Sequence, residues 1–173
     1  MILIINLNKY KLHDLEFIRP ITDLLDDSKV IHYKTLKRKD LEKADKVIIA
    51  GTSLKDSDYL KELDKFSWIK SYRKPFLGIC AGMQILGLIH GAKLKKAKEI
   101  GVTKLKTKTD SMLKKITQAY SLHQYSITLP KGFTKLAESD KCIHAIKKDN
   151  LYGVLFHPEV INKELIKKDI ICI

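Results

Sequence analysis

The stretch Pro75-Phe76-Leu77-Gly78-Ile79-Cys80-Ala81-Gly82-Met83-Gln84-Ile85-Leu86 joins a short apolar run to a segment with helical spacing, and Cys80 stands at the junction. Gly78 and Gly82 lie two residues to either side of it. This spacing is typical of a nucleophile elbow, a sharp strand-to-helix turn that lifts its central side chain above the sheet edge and leaves room only for small neighbours. The positive end of the following helix favours a thiolate at that position. The alternative is that Cys80 is a small buried apolar residue beside helix-packing glycines.

Outward from this turn, short β-branched runs alternate with amphipathic segments. The first half predicts strands at residues 2–6, 30–33, 47–50 and 75–79 and helices at 12–25, 58–72 and 83–89. The second half predicts shorter strands at 103–108, 119–123, 126–129, 133–138, 142–146 and 152–156, then a terminal helix from residue 162. We therefore expect an α/β, three-layer fold with a mostly parallel central sheet flanked by helices, and a smaller antiparallel strand region in the second half. A single domain spanning residues 1–173 is the simplest organisation.

The composition fits a globular protein, since 45% of the 173 residues are hydrophobic and 31% are charged. The chain has an odd number of cysteines and no C-x-x-C pair; the three are Cys80, Cys142 and Cys172. We therefore expect neither a disulfide framework nor a zinc knuckle. Because no disulfides are expected, a reducing, cytoplasmic location fits best. The apolar start of the chain has no basic region and is too short to cross a bilayer, so no membrane association is expected.

The net charge of +13 raises the question of nucleic acid, but almost all of the positive charge is lysine and only three residues are arginine. Because groove and phosphate recognition favour arginine, we rank a nucleic-acid role last. Four histidines have no partner at metal-ligand spacing, and each is expected at or near the surface or partly buried rather than as a metal ligand: His13, His32, His90 and His144. No metal site is predicted.

A second informative segment ends the strand predicted at 152–156, where His157-Pro158-Glu159 follows. In extended chain, residues i and i+2 point to the same side, and Pro158 pushes His157 toward that conformation. The Glu159 carboxylate can then hold one tautomer of the imidazole. Cys80, His157 and Glu159 thus provide a nucleophile, a base and a group that orients the base, all at the carboxyl ends of predicted parallel strands.

Backbone N–H groups near the nucleophile are candidates for stabilising an oxyanion. The turn directs the Ala81 N–H toward a reacting carbonyl oxygen, and Gly51-Thr52, at the end of the strand 47–50, is the candidate for the second donor.

These motifs resemble the class I, triad-type glutamine amidotransferases, whose cysteine turn reads Gly-x-Cys-x-Gly-(His or Met)-Gln and whose base segment reads Phe-His-Pro-Glu. Further stretches are similar to the separate amidotransferase subunit of archaeal GMP synthase: Glu99-Ile100-Gly101, Ser121-Leu122-His123-Gln124, Leu129-Pro130-Lys131-Gly132-Phe133 and Ala137-Glu138-Ser139-Asp140. The likeness covers most of the chain and implies the flavodoxin-like fold of that family. The usual Ser-Gly-Gly-Pro loop of the family corresponds here to Ala50-Gly51-Thr52-Ser53.

The resemblance implies that Cys80 attacks the side-chain amide of glutamine, that His157 protonates the departing ammonia, and that water releases glutamate from a thioester. Gln84 matches a position that contacts the glutamine backbone, and His123, Gln124 and Tyr125 match a loop whose main chain holds the substrate. The ammonia would pass to a synthetase partner, for example the synthetase that makes GMP in purine biosynthesis. ATP and magnesium are expected only in that partner, and no cofactor is expected in this chain.

Two other functions remain open. The chain could be a stand-alone γ-glutamyl amide hydrolase that uses the same triad on another substrate. It could also be a catalytically silent regulatory subunit, if the altered Gly51-Thr52 loop does not support the oxyanion.

Overall fold

The computed structural model describes residues 1–108 and 113–167, and a parallel sheet forms the centre of this part of the chain. The five parallel strands are β1 (Ile2–Asn6), β2 (Ser28–His32), β3 (Lys46–Ile49), β4 (Phe76–Ile79) and β10 (Leu151–Val154). Three antiparallel strands extend the sheet: β6 (Lys106–Thr107), β8 (Thr134–Glu138) and β9 (Ile143–Lys148). The order across the sheet is β2-β1-β3-β4-β10-β9-β8-β6.

A second, two-stranded antiparallel sheet joins β5 (Leu94–Lys104) and β7 (Gln118–Ile127). A register shift between Lys96 and Glu99 bends β5. The predicted fold class, a mostly parallel sheet with helices and a smaller antiparallel region in the second half, is confirmed.

Both faces of the central sheet are buried, which follows from the alternation of side chains along each strand. On one face, Leu3 and Ile5 of β1 pack in a cluster with Met83 and Ile85. On the other face, Ile4 packs in a separate cluster. The helices that cover or flank the sheet are short: α1 (Asp14–Phe17), α2 (Arg19–Thr22), α3 (Arg38–Lys43), α4 (Ala81–Ile89) and α5 (Glu164–Lys167).

The sequence predicts two long, continuous α-helices, at 12–25 and 58–72, and both predictions are wrong. The segment 12–25 is a 3-10 turn followed by α1 and α2, which are separated at Ile18, two residues before Pro20. Proline has no backbone N–H to donate within a helix, so the continuous helix is interrupted and Pro20 lies in the first turn of α2. The segment 58–72 forms the 3-10 helices Asp58–Lys61 and Leu63–Ser71 instead of an α-helix.

The strands of the second half also differ from prediction. The strands expected at 119–123 and 126–129 form one continuous strand, β7, because its pairing with β5 carries through the polar residues between them. The strand expected from residue 103 begins at Leu94. Short helix α3 was not predicted, and the terminal helix α5 begins at Glu164.

The pairing of β4 with β10 places the two motifs of the sequence side by side. The strands are parallel, with Ile79 opposite Val154, and the Cys80 N–H donates to the Val154 carbonyl oxygen at 2.8 Å. Cys80 and His157 therefore both follow strands whose carboxyl ends meet at one edge of the sheet. Ligands of open α/β sheets bind at this edge.

We expect Gly78→Ala to destabilise the protein by about 2–3 kcal/mol, because the added methyl group would lie 2.5 Å from the backbone carbonyl of Gly82, which cannot move away cheaply. Gly87→Ala is the matched control. Its methyl group would meet the movable end of the Ile127 side chain, and alanine is the better helix former by about 1 kcal/mol. The free energy of unfolding of this variant should therefore stay within about 1 kcal/mol of the wild-type value. Urea unfolding measures the free energy of unfolding of both variants. Equal losses of stability in the two would contradict the special role of Gly78.

Candidate active site

The turn at Cys80 is tightly packed on both sides. Cys80 has backbone angles of φ 49° and ψ −102°, a left-handed conformation that costs energy for a residue other than glycine. A Cβ at Gly78 would strike the backbone of Gly82, and a Cβ at Gly82 would strike the carbonyl oxygen of Ile49. The prediction that both positions must be small is confirmed, and the turn has the geometry of a nucleophile elbow.

His157 and Glu159 form a buried pair beyond β10. The His157 Nδ1 lies 2.7 Å from the Glu159 Oε1, and both residues are only 2% exposed. The His157 N–H donates to the carbonyl oxygen of Tyr120, and the ring of Phe17 packs against the imidazole at 5.7 Å between centroids. The backbone is thus tied to β7, and the ring is held by Phe17 and by the carboxylate, which keeps the proton on Nδ1.

Gly51 shows how closely the imidazole approaches the thiol. A Cβ at Gly51 would lie 2.6 Å from the His157 Cε1 and 3.4 Å from the Cys80 Cβ. The loop after β3 therefore packs against both the base and the nucleophile, and only glycine fits there. The Sγ of Cys80 is directed at the carbonyl oxygen of Leu122, at 3.6 Å.

The charge of the site favours a protonated imidazole. Burial alone lowers the pKa of His157, but the nearby sulfur of Cys80 and the hydrogen bond and negative charge of Glu159 outweigh burial and raise the pKa well above its usual value. A cysteine next to a protonated histidine is the arrangement that activates thiolate nucleophiles.

A narrow cleft of about 50 Å³ opens beside the sulfur, and the predicted oxyanion residues Thr52 and Ala81 line it together with Cys80. The Oγ1 of Thr52 donates to the Asp56 carboxylate at 3.1 Å, which anchors the loop that follows Gly51. The two segments that carry the candidate N–H donors thus meet at the thiol.

The four residues predicted to bind substrate also line this cleft: Gln84, His123, Gln124 and Tyr125. The amide of Gln84 is already engaged, since its Oε1 accepts from the Tyr59 hydroxyl at 2.7 Å and its Nε2 donates to the Tyr125 carbonyl at 2.8 Å. Tyr59 is a cleft residue that sequence reasoning missed, because it lies in a segment predicted to be an ordinary amphipathic helix and matches no motif.

One group of potential metal ligands occurs among the described residues, and it contains no member of the Cys80–His157–Glu159 set. The side chains of Glu99, His123, Cys142 and His144 place their ligand atoms within 4.8 Å of one another. The expectation that His144 lies at or near the surface is wrong, because it is completely buried. β9 is an interior strand of the sheet, which the spacing of histidines in the sequence could not reveal. Cys172 lies outside the described residues.

A larger open groove of about 780 Å³ lies elsewhere, between α3 and the 3-10 helix Leu63–Ser71. It is lined by lysine, arginine and aromatic side chains, and none of the predicted site residues borders it. Size alone does not make it the candidate site, because the Cys80 thiol and the oxyanion candidates Thr52 and Ala81 line the smaller cleft.

Comparison with known proteins agrees with the motifs. A model of the glutamine amidotransferase class-I family matches residues 18–169. A glutamine-hydrolyzing GMP synthase subunit of Archaeoglobus fulgidus is 31% identical over 161 residues, which cover 84% of this chain and 82% of that protein. This chain belongs to the class-I glutamine amidotransferases.

Other relatives of this amidotransferase differ in length and in the reaction their names record. The imidazole glycerol phosphate synthase subunit HisH 2 of Campylobacter jejuni is 32% identical over 145 residues, covering 70% of this chain and 74% of that subunit. The GMP synthase of Helicobacter acinonychis is 43% identical over 98 residues, covering 52% of this chain and 19% of that protein. The chain thus spans about a fifth of the length of such GMP synthases.

A solved structure shares the fold. A Thermoplasma acidophilum protein, named as a GMP synthase subunit, superimposes with a TM-score of 0.82 at 24% identity, covering 98% of this chain and 91% of that one. Within the part of this amidotransferase that the structure describes, no helix has the length and apolar character needed to cross a membrane.

We expect Gly51→Ala to slow alkylation of Cys80 by iodoacetamide at least about tenfold, because the added methyl group pushes the His157 ring away from the thiol. Peptide mapping by mass spectrometry measures the rate. Cys142 is the internal control: burial raises its pKa to about 11, and its slow labelling should not change. An unchanged Cys80 rate would contradict the placement of the imidazole.

Proposed function

We propose that this chain is a glutaminase subunit that releases ammonia from the side chain of glutamine through Cys80, His157 and Glu159. The observation that carries the proposal is that Gly51 packs against the His157 imidazole and the Cys80 side chain at once, with no room for a side chain of its own. Two motifs that are 77 positions apart in the sequence thereby meet at one edge of the sheet. Family membership supports the choice of glutamine as substrate.

The chemistry follows from the roles of the three side chains. The Cys80 sulfur attacks the amide carbon, and the negative charge that develops on the oxygen is stabilised by the N–H groups of Ala81 and of the Gly51-Thr52 loop. His157 then gives its proton to the amide nitrogen, ammonia departs, and a γ-glutamyl thioester remains. His157 next accepts a proton from water, which attacks the thioester and releases glutamate and the thiolate. Glu159 keeps the imidazole oriented throughout.

The narrow cleft indicates that substrate binding requires movement. Its volume of about 50 Å³ is far below the ~300–1,000 Å³ of typical ligand sites. Gln84 is held between Tyr59 and Tyr125, and the Cys80 thiol points to Leu122, so these contacts must loosen before glutamine enters. We infer that a synthetase partner, which would bind ATP and magnesium, widens the cleft as it docks.

The names of the relatives suggest two candidates for the partner that accepts the ammonia, and we propose the first. The likeness to the glutamine-hydrolyzing subunit of an archaeal GMP synthase extends over most of both chains and favours a GMP synthase partner. The likeness to a HisH subunit makes an imidazole glycerol phosphate synthase partner the competitor.

Glutamate release from glutamine tests this proposal. We expect weak activity alone and at least tenfold stimulation by the ATP-binding GMP synthase subunit of the same organism. Cys80→Ala should reduce activity at least about 10³-fold while the far-UV and near-UV circular dichroism stay unchanged. Full activity of this variant would refute the assignment of Cys80 as the nucleophile.

Two other outcomes would identify the alternative functions. High activity without any partner on another γ-glutamyl amide would identify a stand-alone hydrolase. Failure of a glutamine-derived electrophile to label Cys80 with the partner bound would identify a silent subunit.

We expect Glu159→Gln to shift the alkaline limb of the glutaminase pH profile to lower pH. In the wild type, the Glu159 charge helps to raise the pKa of His157, so the imidazolium that protonates ammonia persists to higher pH. Glutamine of similar size removes the charge, the pKa falls, and the proton is lost earlier. The matched control is Glu164→Gln, which changes an exposed carboxylate five positions further along the chain and should leave the profile in place. An unshifted limb in Glu159→Gln would contradict the role of the carboxylate.

A further inference from the structure

Four side chains with metal-binding atoms converge behind the wall of the cleft. Glu99 of β5 faces His123 of β7 across the antiparallel pairing, and His144 of β9 and the nearby Cys142 approach from the central sheet. Glu99, His123 and His144 are buried, and Cys142 is half-buried. A site built from three different strands is held in place by both sheets.

His123 is oriented as metal-binding histidines are. Its Nδ1 lies 2.9 Å from the carbonyl oxygen of Ala97, which can only accept, so the proton resides on Nδ1 and the lone pair on Nε2. Among the described residues, that buried Nε2 has no hydrogen-bond partner. It lies 3.3 Å from the Glu99 Oε2 without the geometry of a hydrogen bond. An unpaired nitrogen lone pair is thus aimed at a carboxylate oxygen, an arrangement that a shared cation would stabilise.

The hydrogen bonds in this group converge on one carboxylate oxygen. The Glu99 Oε2 accepts from the Cys142 thiol at 3.3 Å and from the His144 Nε2–H at 2.7 Å. The His144 Nδ1, which then carries no proton, has no hydrogen-bond partner among the described residues. Each of the two buried imidazoles thus leaves one ring nitrogen without a hydrogen bond.

We propose that Glu99, His123, Cys142 and His144 form a binding site for one divalent transition-metal ion, with Zn²⁺ as the best match. Two imidazoles, one sulfur and one carboxylate are a ligand set that Zn²⁺ accepts in tetrahedral geometry. The sulfur binds as the thiolate, so the Cys142 proton leaves to solvent as the metal–sulfur bond forms. The His144 proton moves from Nε2 to Nδ1, which frees the Nε2 lone pair for the metal.

The distances are close to those required. Zinc bonds of about 2.0–2.3 Å separate tetrahedral ligand atoms by about 3.3–3.8 Å. From the Glu99 Oε2, the Cys142 Sγ and the His123 Nε2 both lie at 3.3 Å, and the His144 Nε2 lies at 2.7 Å. Of these three distances only the last must lengthen, by less than about 1 Å. All four ligand atoms lie within 4.8 Å of one another, so any pair separated by more than about 3.8 Å must draw together as the metal binds. The Ser139 hydroxyl, at 3.2 Å from the same oxygen, supports the carboxylate from outside the ligand set.

With four protein ligands the site has no open position, so its role is structural rather than catalytic. The metal would tie β5 and β7 to the central sheet. His123 directly follows Leu122, whose carbonyl oxygen faces the Cys80 thiol. The metal would therefore also fix the strand that forms one wall of the cleft.

Metal binding is tested in a Cys80→Ser background, which removes the other thiol–imidazole pair that could capture the ion. After removal of metals with a chelator, titration with Zn²⁺ against a chromophoric competitor should show one tight equivalent. His144→Gln and Cys142→Ser, each added to this background, should weaken binding at least about tenfold. The control is His90→Gln, a partly buried histidine outside the group, which should bind as the background does. Equal affinity in all four proteins would overturn the proposal.

A second measurement reads the geometry and the sulfur ligand of the site from a spectrum. Loading the Cys80→Ser protein with Co²⁺ should give the intense visible bands of a tetrahedral ion and a near-ultraviolet thiolate-to-metal band, and the latter should disappear in Cys142→Ser. A weak spectrum typical of hydrated Co²⁺, without the thiolate band, would show that the four side chains form only a hydrogen-bonded network. That result would leave the glutaminase proposal standing, because glutamate release is measured separately.

Discussion

The close contact between the backbone at Gly78 and Gly82 is the constraint on which the site depends. Because no side chain fits at either glycine, β4 can turn directly into α4, and α4 can approach the carbonyl oxygen of Ile49 at the end of β3. The residue at the centre of so sharp a turn must accept a left-handed backbone, as Cys80 does at φ 49°. The strain is offset by the packing of α4, almost all of which is buried. Because the turn is held in this way, the thiol stands above the sheet edge at the start of a helix.

The parallel pairing of β4 with β10 converts this local turn into a site. A hydrogen bond from the Cys80 N–H to Val154 fixes the end of β10 beside the turn, and His157 follows three residues later. Burying an imidazole and a carboxylate is costly unless they pair, and the contact of 2.7 Å between His157 and Glu159 meets that requirement. The positive charge of the imidazole is in turn matched by the sulfur. The register of β4 with β10 thus brings the paired imidazole and carboxylate to the nucleophile.

The sequence predicted well those features that depend on neighbouring residues. The turn at Cys80, the strand Ile2–Asn6 and the pairing of His157 with Glu159 all follow from local patterns, and the structure agrees with them. The long helix at 12–25 was wrong because Pro20 outweighed an apolar periodicity that is broad and weak. The group around Glu99 could not be found from sequence, since it depends on the register of β5 with β7 and on the position of β9, both of which join distant residues.

The alternation of side chains along β7 links the cleft to the group behind it. At Leu122 the strand turns a carbonyl oxygen to the thiol, and at the next residue it turns the His123 imidazole toward Glu99. At Tyr125 the carbonyl oxygen accepts from Gln84, on the first turns of α4. The strand is therefore held from the side of the nucleophile and from the side of β5 and β9 at once. Since neither wall of so narrow a cleft can shift without breaking one of these contacts, a ligand that needs more room could enter only if β7 or the 3-10 helix Asp58–Lys61, which carries Tyr59, moved.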